Sequence, residues 1–364
     1  MLTSYFQHWF LNFVNCLSVE NVYPDQYFRL LTLPVDIFAK NLNEWGKRKI
    51  PFVFLVDYLA QKPLAWRLED VDPALLQFNL NGFSNQDFAT EYQLPDNFGF
   101  HKSPIPFSEY QKRFDYVVKN LKAGNSFLVN LSAPTPIQTE LSLLEIFKNS
   151  EAPYKVLYNN EFVCFSPEIF VRIHGNHISS FPMKGTIDAS IPDAENIILS
   201  DYKEAAEHAT IVDLIRNDIS MVAEKVWVER YRYIDRIKTN DKTLLQVSSE
   251  VAGILAANFD GHFGDILLKL LPAGSITGAP KPSTLQIIRD AEGYERGYYT
   301  GVVGYFDGET FESAVMIRFI ENQNGSLVFK SGGGITALSQ AQNEYQELID
   351  KVYLPFSHAA HFML

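Results

Sequence analysis

The sequence predicts an α+β protein whose strands are largely antiparallel. One observation is a set of turn pairs between short apolar runs: Asn159-Asn160, Gly175-Asn176, Asp307-Gly308 and Asn324-Gly325. Such pairs supply the positive φ that tight hairpins require. The other is helical spacing in longer stretches, as at Tyr110, Phe114, Val117, Val118 and Leu121, where one face of an α-helix repeats every three to four residues.

Composition bounds the rest. The chain has 364 residues, 46% of them hydrophobic and 20% charged, enough for a packed core in one large domain or two ordinary ones. A net charge of −12 argues against a nucleic-acid or anionic-membrane surface, which needs clustered Lys and Arg. An anionic small molecule then requires a pocket that is locally basic or holds a metal. Cys16 and Cys164 give no disulfide framework and no zinc pattern, which fits a reducing cytoplasm. The apolar N-terminus is interrupted by His8, Asn12 and Asn15 and lacks a basic leader, so it reads as neither signal peptide nor membrane span.

In chain order, residues 1–100 say least. PFVFLVDYLA (51–60) reads as a strand or buried edge, and 79–100 as a loop-like, aromatic-rich link. A helix follows from about 107 and ends at Ala123-Gly124-Asn125; FLVNLS (127–132) is then a strand. Residues 154–182 read as a meander of four strands, YKVLY, EFVCF, EIFVRI and HISSF. Inside it lies Ser166-Pro167-Glu168, and directly after it Pro182-Met183-Lys184-Gly185-Thr186. Taken singly, Glu168 and Lys184 read as solvated charges. At neighbouring strand ends they are placed to face one cleft as an acid and a nucleophile.

A single long helix is expected over 193–220, capped by Asp193, with Ala205, Ala209, Val212 and Ile219 on its buried side. Glu204 and Glu207 share a face of it. PAGSITGAPK (272–281) can continue neither strand nor helix. Ser275, Thr277 and the free N–H groups beside them form a candidate anion cradle at the start of the next helix. YYTGVVGYF, TFESAVMIRFIE and SLVFKS read as strands joined by hairpins, with Arg318 the only basic residue in the middle one. Gly332-Gly333-Gly334 permits close backbone approach. The last helix (339–352) is expected to open on a capping box of Ser339 and Gln342. It carries Glu344 and Glu347 on one face, with Lys351 a turn beyond. Four carboxylates brought together from two helices repel one another unless a cation lies between them. Mg²⁺, which favours carboxylate oxygen, is the economical choice.

With these motifs in place, residues 105–355 resemble the chorismate-utilising enzymes, in the branch of aminodeoxychorismate synthase component I. The resemblance implies two stacked, largely antiparallel β-sheets flanked by helices, with a deep active-site cleft. It makes 1–100 a variable N-terminal portion of the same fold and 101–364 the chorismate-binding catalytic region. It implies Mg²⁺ on Glu207 and Glu347, with Glu204 and Glu344 acting through water. It assigns Tyr299, Arg318, the Gly332 backbone and Lys351 to the substrate carboxylate, Thr277 to a contact in the cradle, and Glu168 as general acid. Lys184 stands where anthranilate synthases carry alanine and aminodeoxychorismate synthases carry lysine. By resemblance it attacks C2 of chorismate, and ammonia then adds at C4. Leu128 stands where isochorismate and salicylate synthases carry a lysine base, and Gln246 where many relatives carry histidine; neither receives a role. No glutaminase portion is visible, so ammonia is expected from a separate glutamine amidotransferase subunit. The alternatives are anthranilate synthase component I, isochorismate synthase, and a catalytically silent regulatory relative.

Overall fold

A computed structural model describes residues 33–86, 98–238 and 243–356. The N-terminal stretch with Cys16 and half of the 79–100 link, residues 87–97, lie outside them. The chain forms α1 (Val35–Lys47), β1 (Phe52–Val56), β2 (Leu64–Arg67), β3 (Leu76–Leu80), β4 (Phe83–Ser84) and β5 (His101–Lys102). Then come α2 (Phe107–Lys122), β6 (Leu128–Gln138), α3 (Leu143–Asn149), β7 (Tyr154–Tyr158), β8 (Phe162–Ser166), β9 (Ile169–His174) and β10 (His177–Ser180). The middle third holds β11 (Met183–Asp188), α4 (Ala194–Ser200), α5 (Tyr202–Ser220), β12 (Ala223–Lys238) and β13 (Thr243–Leu255). The last third holds α6 (Phe263–Leu270), β14 (Gly278–Ala279), α7 (Lys281–Glu292), β15 (Val302–Phe306), β16 (Thr310–Val315), β17 (Phe319–Gln323), β18 (Ser326–Ile335) and α8 (Ala341–Asp350). Among the described residues no helix is long and apolar enough to cross a membrane.

The strands of the described residues make two nine-stranded sheets. One runs β11-β13-β10-β9-β16-β15-β1-β2 with β12 on the far side of β13; the other runs β14-β6-β18-β17-β8-β7-β3-β4 with β5 beside β6. The expected α+β architecture of two largely antiparallel sheets flanked by helices is therefore what forms. A core drawn from both sheets lies between them, including Val53, Leu55, Tyr305 and Ala314 from one and Phe78, Val156, Phe162 and Phe319 from the other. Burying these side chains from both faces is what holds the layers together. Helices α2 and α7 cover β6 through Phe114, Val117, Ile287 and Ile288, and α8 covers the neighbouring β18 with Leu348 in the same cluster.

The hairpin pairs behave as read. Asn159 and Asn160 have φ of 44° and 51°, and Asn324 and Gly325 have φ of 55° and 92°, the two positive values a primed turn needs. Other readings change. The 154–182 stretch is not one meander: β7 and β8 belong to one sheet, β9 and β10 to the other, and the chain crosses between them at Pro167-Glu168. TFESAVMIRFIE likewise breaks between β16 and β17, so Arg318 lies in a second crossing, with φ of 54°, rather than in a strand. The expected 193–220 helix is two helices. Asp201 at φ −65°, ψ 116° interrupts it and caps α5 by accepting from the Glu204 N–H. Asp193 makes no capping bond to α4 and binds the Asn196 side chain instead. Helix α8 starts at Ala341 with no side-chain cap, so the Ser339–Gln342 capping box is absent; the Ser339 hydroxyl takes the Thr336 N–H. The buried face of α5 also differs, with Ala209 exposed and His208, Val212, Ile215 and Ile219 inside.

The cradle loop is docked by β14 against β6. Gly278 has φ of +115°, and a methyl group there would stand 1.8 Å from the Leu128 carbonyl oxygen. Only glycine tolerates both that φ and that contact. Gly278→Ala is therefore expected to lose about 1–3 kcal/mol of stability, read from urea melts of the two proteins; coincident melts would mean that this approach is relaxed in solution.

Candidate active site

The two crossings run side by side. Val315 N–H donates to the Glu168 carbonyl at 3.0 Å, and Phe165 N–H donates to the Arg318 carbonyl at 3.1 Å. A strand that leaves one sheet for another has no ladder to complete at the corner, and Pro167 has no N–H to offer one. The corners therefore free Glu168 and Arg318 to point into the gap. That gap is a cavity of about 270 Å³ lined by Glu168, Lys184, Ser275, Tyr299, Arg318, Glu347 and Lys351, with Gly332, Gly333 and Gly334 along one edge. Leu128, Asn130 and Gln246 also line it.

Glu168 accepts a short hydrogen bond from the Ser275 hydroxyl. Burial raises its pKa above the ordinary carboxylate range, against the lowering effects of Ser275, Arg318, Lys351 and Lys184. A carboxyl held in this way keeps its proton to higher pH than a solvated one. Arg318 presents a buried Nε with no hydrogen-bond partner, a donor left waiting for an acceptor. Lys351 donates to the Gly332 carbonyl at 2.8 Å and pairs with Glu347 at 2.6 Å. Burial lowers the Lys351 pKa despite Glu347. Burial acts to raise Glu347, but Lys351 outweighs it and the carboxyl lies below its usual range. Tyr299 is 2% exposed, and burial pushes its hydroxyl up.

Lys184 sits in β11, where Pro182 ends the preceding strand and Gly185 has φ of +81°. Its Nζ is 3.3 Å from Glu207 Oε2. A methyl group on Gly334 would stand 3.5 Å from that Nζ, an ordinary contact distance, so the amine lies directly against the Gly334 backbone. Behind it, His208 is fully buried with Nε2 2.6 Å from Ser249 Oγ, and burial lowers its pKa to about 4. The imidazole is thus a neutral packing element one residue beyond Glu207. Reading α5 by its alanines missed it.

The two acidic pairs converge. Glu204 borders Gly185, while Glu344 and Glu347 both border Gly333. Burial opposes the charge on Lys203, but Glu207, Glu344 and Glu204 together raise its pKa. Burial raises the pKa of both Glu204 and Glu344, and each is raised further by its neighbour, Glu207 or Glu347. Lys184, Lys203 and Lys351 neutralise part of this charge. Among the described residues no three acidic, His or Cys side chains close tightly enough around one point to form a preformed cage. The donor set is all carboxylate oxygen and under mutual repulsion. It fits a hard cation that keeps its own water and takes one or two carboxylates at a time.

Two cradle residues are placed differently from expectation. Ser275 lines the cavity but gives its hydroxyl to Glu168. Thr277 is fully buried beside Tyr58, off the cavity wall, and its N–H is used within the turn, donating to the Gly274 carbonyl at 3.2 Å. Glu204, Glu207 and Glu344 likewise stand behind the wall rather than on it.

Comparison with known proteins agrees with this architecture. The family model described as chorismate binding enzyme matches residues 66–356. An uncharacterized PabA-like protein of Haemophilus influenzae is 52% identical over 322 residues, covering 88% of this chain and 97% of the relative. Anthranilate synthase component 1 of Archaeoglobus fulgidus is 32% identical, over 67% of this chain and 60% of that enzyme. The crystal structure of anthranilate synthase component I from Streptococcus pneumoniae superposes with a TM-score of 0.61 at 27% identity, covering 70% of this chain and 59% of the other. The menaquinone-specific isochorismate synthase MenF of Escherichia coli superposes with a TM-score of 0.65 at 16% identity, over 87% of this chain and 80% of MenF; that likeness speaks for the fold alone. With the match running through both sheet crossings and the last helix, this chain belongs to the chorismate-binding enzyme family.

Proposed function

We propose that the protein aminates chorismate at C4 to give 4-amino-4-deoxychorismate, as aminodeoxychorismate synthase component I. The observation that carries this reading is the placement of a lysine amine, Lys184, on the wall of the same cavity as a carboxyl of raised proton affinity, Glu168. Arg318 and Lys351 hold the ring carboxylate, with Tyr299 and the Gly332 backbone beside them. The Lys184 amine forms a bond to C2, and the C1=C2 and C5=C6 double bonds move to C1=C6 and C4=C5 as the C4–O bond breaks. The C4 hydroxyl leaves as water with the proton of Glu168. Ammonia then bonds to C4, both double bonds shift back, the Lys184 amine departs from C2, and a proton released by ammonia returns to Glu168. Ser275 fixes the Glu168 carboxyl by its hydrogen bond. Glu207 and Glu347 would hold Mg²⁺ directly, with Glu204 and Glu344 acting through water. Bound there, the ion supplies positive charge for the substrate's carboxylate. Ammonia comes from a separate glutamine amidotransferase subunit.

Purified protein given chorismate, Mg²⁺ and an ammonium salt at mildly alkaline pH is expected to form an aminated chorismate. Chromatography with and without an added lyase distinguishes it, and chelation should stop the reaction. Anthranilate appearing without the lyase would reassign the branch to anthranilate synthase. No turnover would favour the silent relative.

A further inference from the structure

We propose that Asn130 is a specificity-determining substrate contact, whose carboxamide accepts a hydrogen bond from the ring hydroxyl of the substrate. This rests on the chorismate reading above. Asn130 lies in β6, is 9% exposed and lines the cavity. Its backbone is fully engaged: the N–H donates to the Thr277 carbonyl at 3.0 Å, and the carbonyl accepts from Arg296 Nη2 at 2.7 Å. Arg296 is itself buried and paired with Glu292 at 2.6 Å. The main chain at Asn130 is therefore held from both sides. The side chain is not, because Oδ1 is buried without any hydrogen-bond partner.

The position of that orphan acceptor is informative. Asn130 is directly opposite Gly334 in the β6–β18 ladder. Residues so paired project on the same face, with Cβ positions about 4.5–5.5 Å apart. A methyl group on Gly334 would stand 3.5 Å from Lys184 Nζ. The carboxamide thus shares one face with the reactive amine, at the edge of the ring where bonds would change.

The chemistry of the substrate selects the group that meets it. A buried acceptor requires a donor. Chorismate offers two carboxylates, an enol ether and one alcohol, and at neutral pH only the alcohol has a proton to give. The charged groups already have Arg318 and Lys351 to answer them. A neutral amide oxygen is left for the neutral hydroxyl at C4.

The test compares chorismate with its 4-deoxy analogue, by calorimetric titration in the Lys184→Ala background so that substrate is not consumed. With Asn130 present, chorismate is expected to bind about tenfold tighter than the analogue, the worth of one neutral hydrogen bond. Asn130→Ala should bring the two within about twofold. Asn130→Asp, which keeps an acceptor at the same place, should restore the preference. A tenfold preference that survives in Asn130→Ala overturns the proposal, as does equal binding of both ligands when Asn130 is intact. Failure of the intact site to bind chorismate at all removes the chorismate reading and this contact with it. Melting curves on each variant separate a lost contact from a lost fold.

Discussion

Lys184→Ala is expected to keep Mg²⁺-dependent chorismate binding and to lose amination by roughly 10⁴-fold, the scale on which a covalent nucleophile acts. Binding survives because the substrate carboxylate is met by Arg318 and Lys351, which the substitution leaves in place. Catalysis does not, because the substitution removes the amine that lines the cavity beside Gly334, on the face shared with Asn130. The loss should appear in kcat, with the dissociation constant for chorismate changed far less. Truncating Lys184 also releases Glu207 from its 3.3 Å ion pair, so Mg²⁺ affinity should rise, which a titration reads without any turnover. Unchanged amination in the variant would remove Lys184 as the nucleophile.

Glu168→Gln is the second large effect, a fall in kcat of about 10²–10⁴-fold for a lost general acid. Its pH signature has a definite sign. Burial raises the pKa of Glu168 in the folded protein, so the proton-bearing, competent form persists above the ordinary carboxylate range. Wild-type kcat should then decline as pH rises through that shifted pKa, while the glutamine variant lacks that limb. Stability follows the same linkage. A carboxyl whose folded pKa lies above its unfolded value stabilises the fold below the unfolded pKa, and that contribution is lost as pH rises through the folded one. Glu168→Gln is therefore expected to melt no lower than wild type at pH 8, with any gain vanishing in acid. A variant that melts well below wild type at pH 8 would mean that the charged carboxylate is held by its cationic neighbours as a structural element. Ser275→Ala should weaken the same pH limb less, since it removes a hydrogen bond and leaves the carboxyl.

Much of this arrangement was legible in the residues themselves. Turn pairs with obligatory positive φ mark hairpins wherever they stand, and the amphipathic period of α2 marks a helix with its buried Tyr110, Phe114, Val117 and Leu121. The spacing of Glu204 with Glu207, and of Glu344 with Glu347, put each pair on one helix face. What a local pattern does not encode is which sheet a strand joins. The run from Thr310 to Glu321 reads as one strand because both halves favour extended backbone. The choice to leave one sheet at Met316 and enter the other at Phe319 is made by the packing of whole layers. Arg318 and Glu168 owe their place on the cavity wall to those corners, so their roles came from resemblance to a family and not from periodicity. Asp201 was invisible as a break for a related reason: an aspartate within an acidic helical stretch looks like a surface charge until its carboxylate is seen capping α5. Thr277 looked available because glycine and proline surround it, yet β14 turns the hydroxyl inward. Asn130 carried a signal that was passed over, a polar side chain inside the apolar run FLVNLS.

The central claim is that the Lys184 amine forms a bond to the substrate. Intact-protein mass spectrometry after incubation with chorismate and Mg²⁺, with ammonia withheld, addresses it directly. The account predicts a species heavier by the mass of chorismate less one water, located by peptide mapping to Lys184, discharged by ammonium and absent from Lys184→Ala. An adduct that maps elsewhere, or none in a preparation that aminates chorismate once ammonium is added, would contradict it.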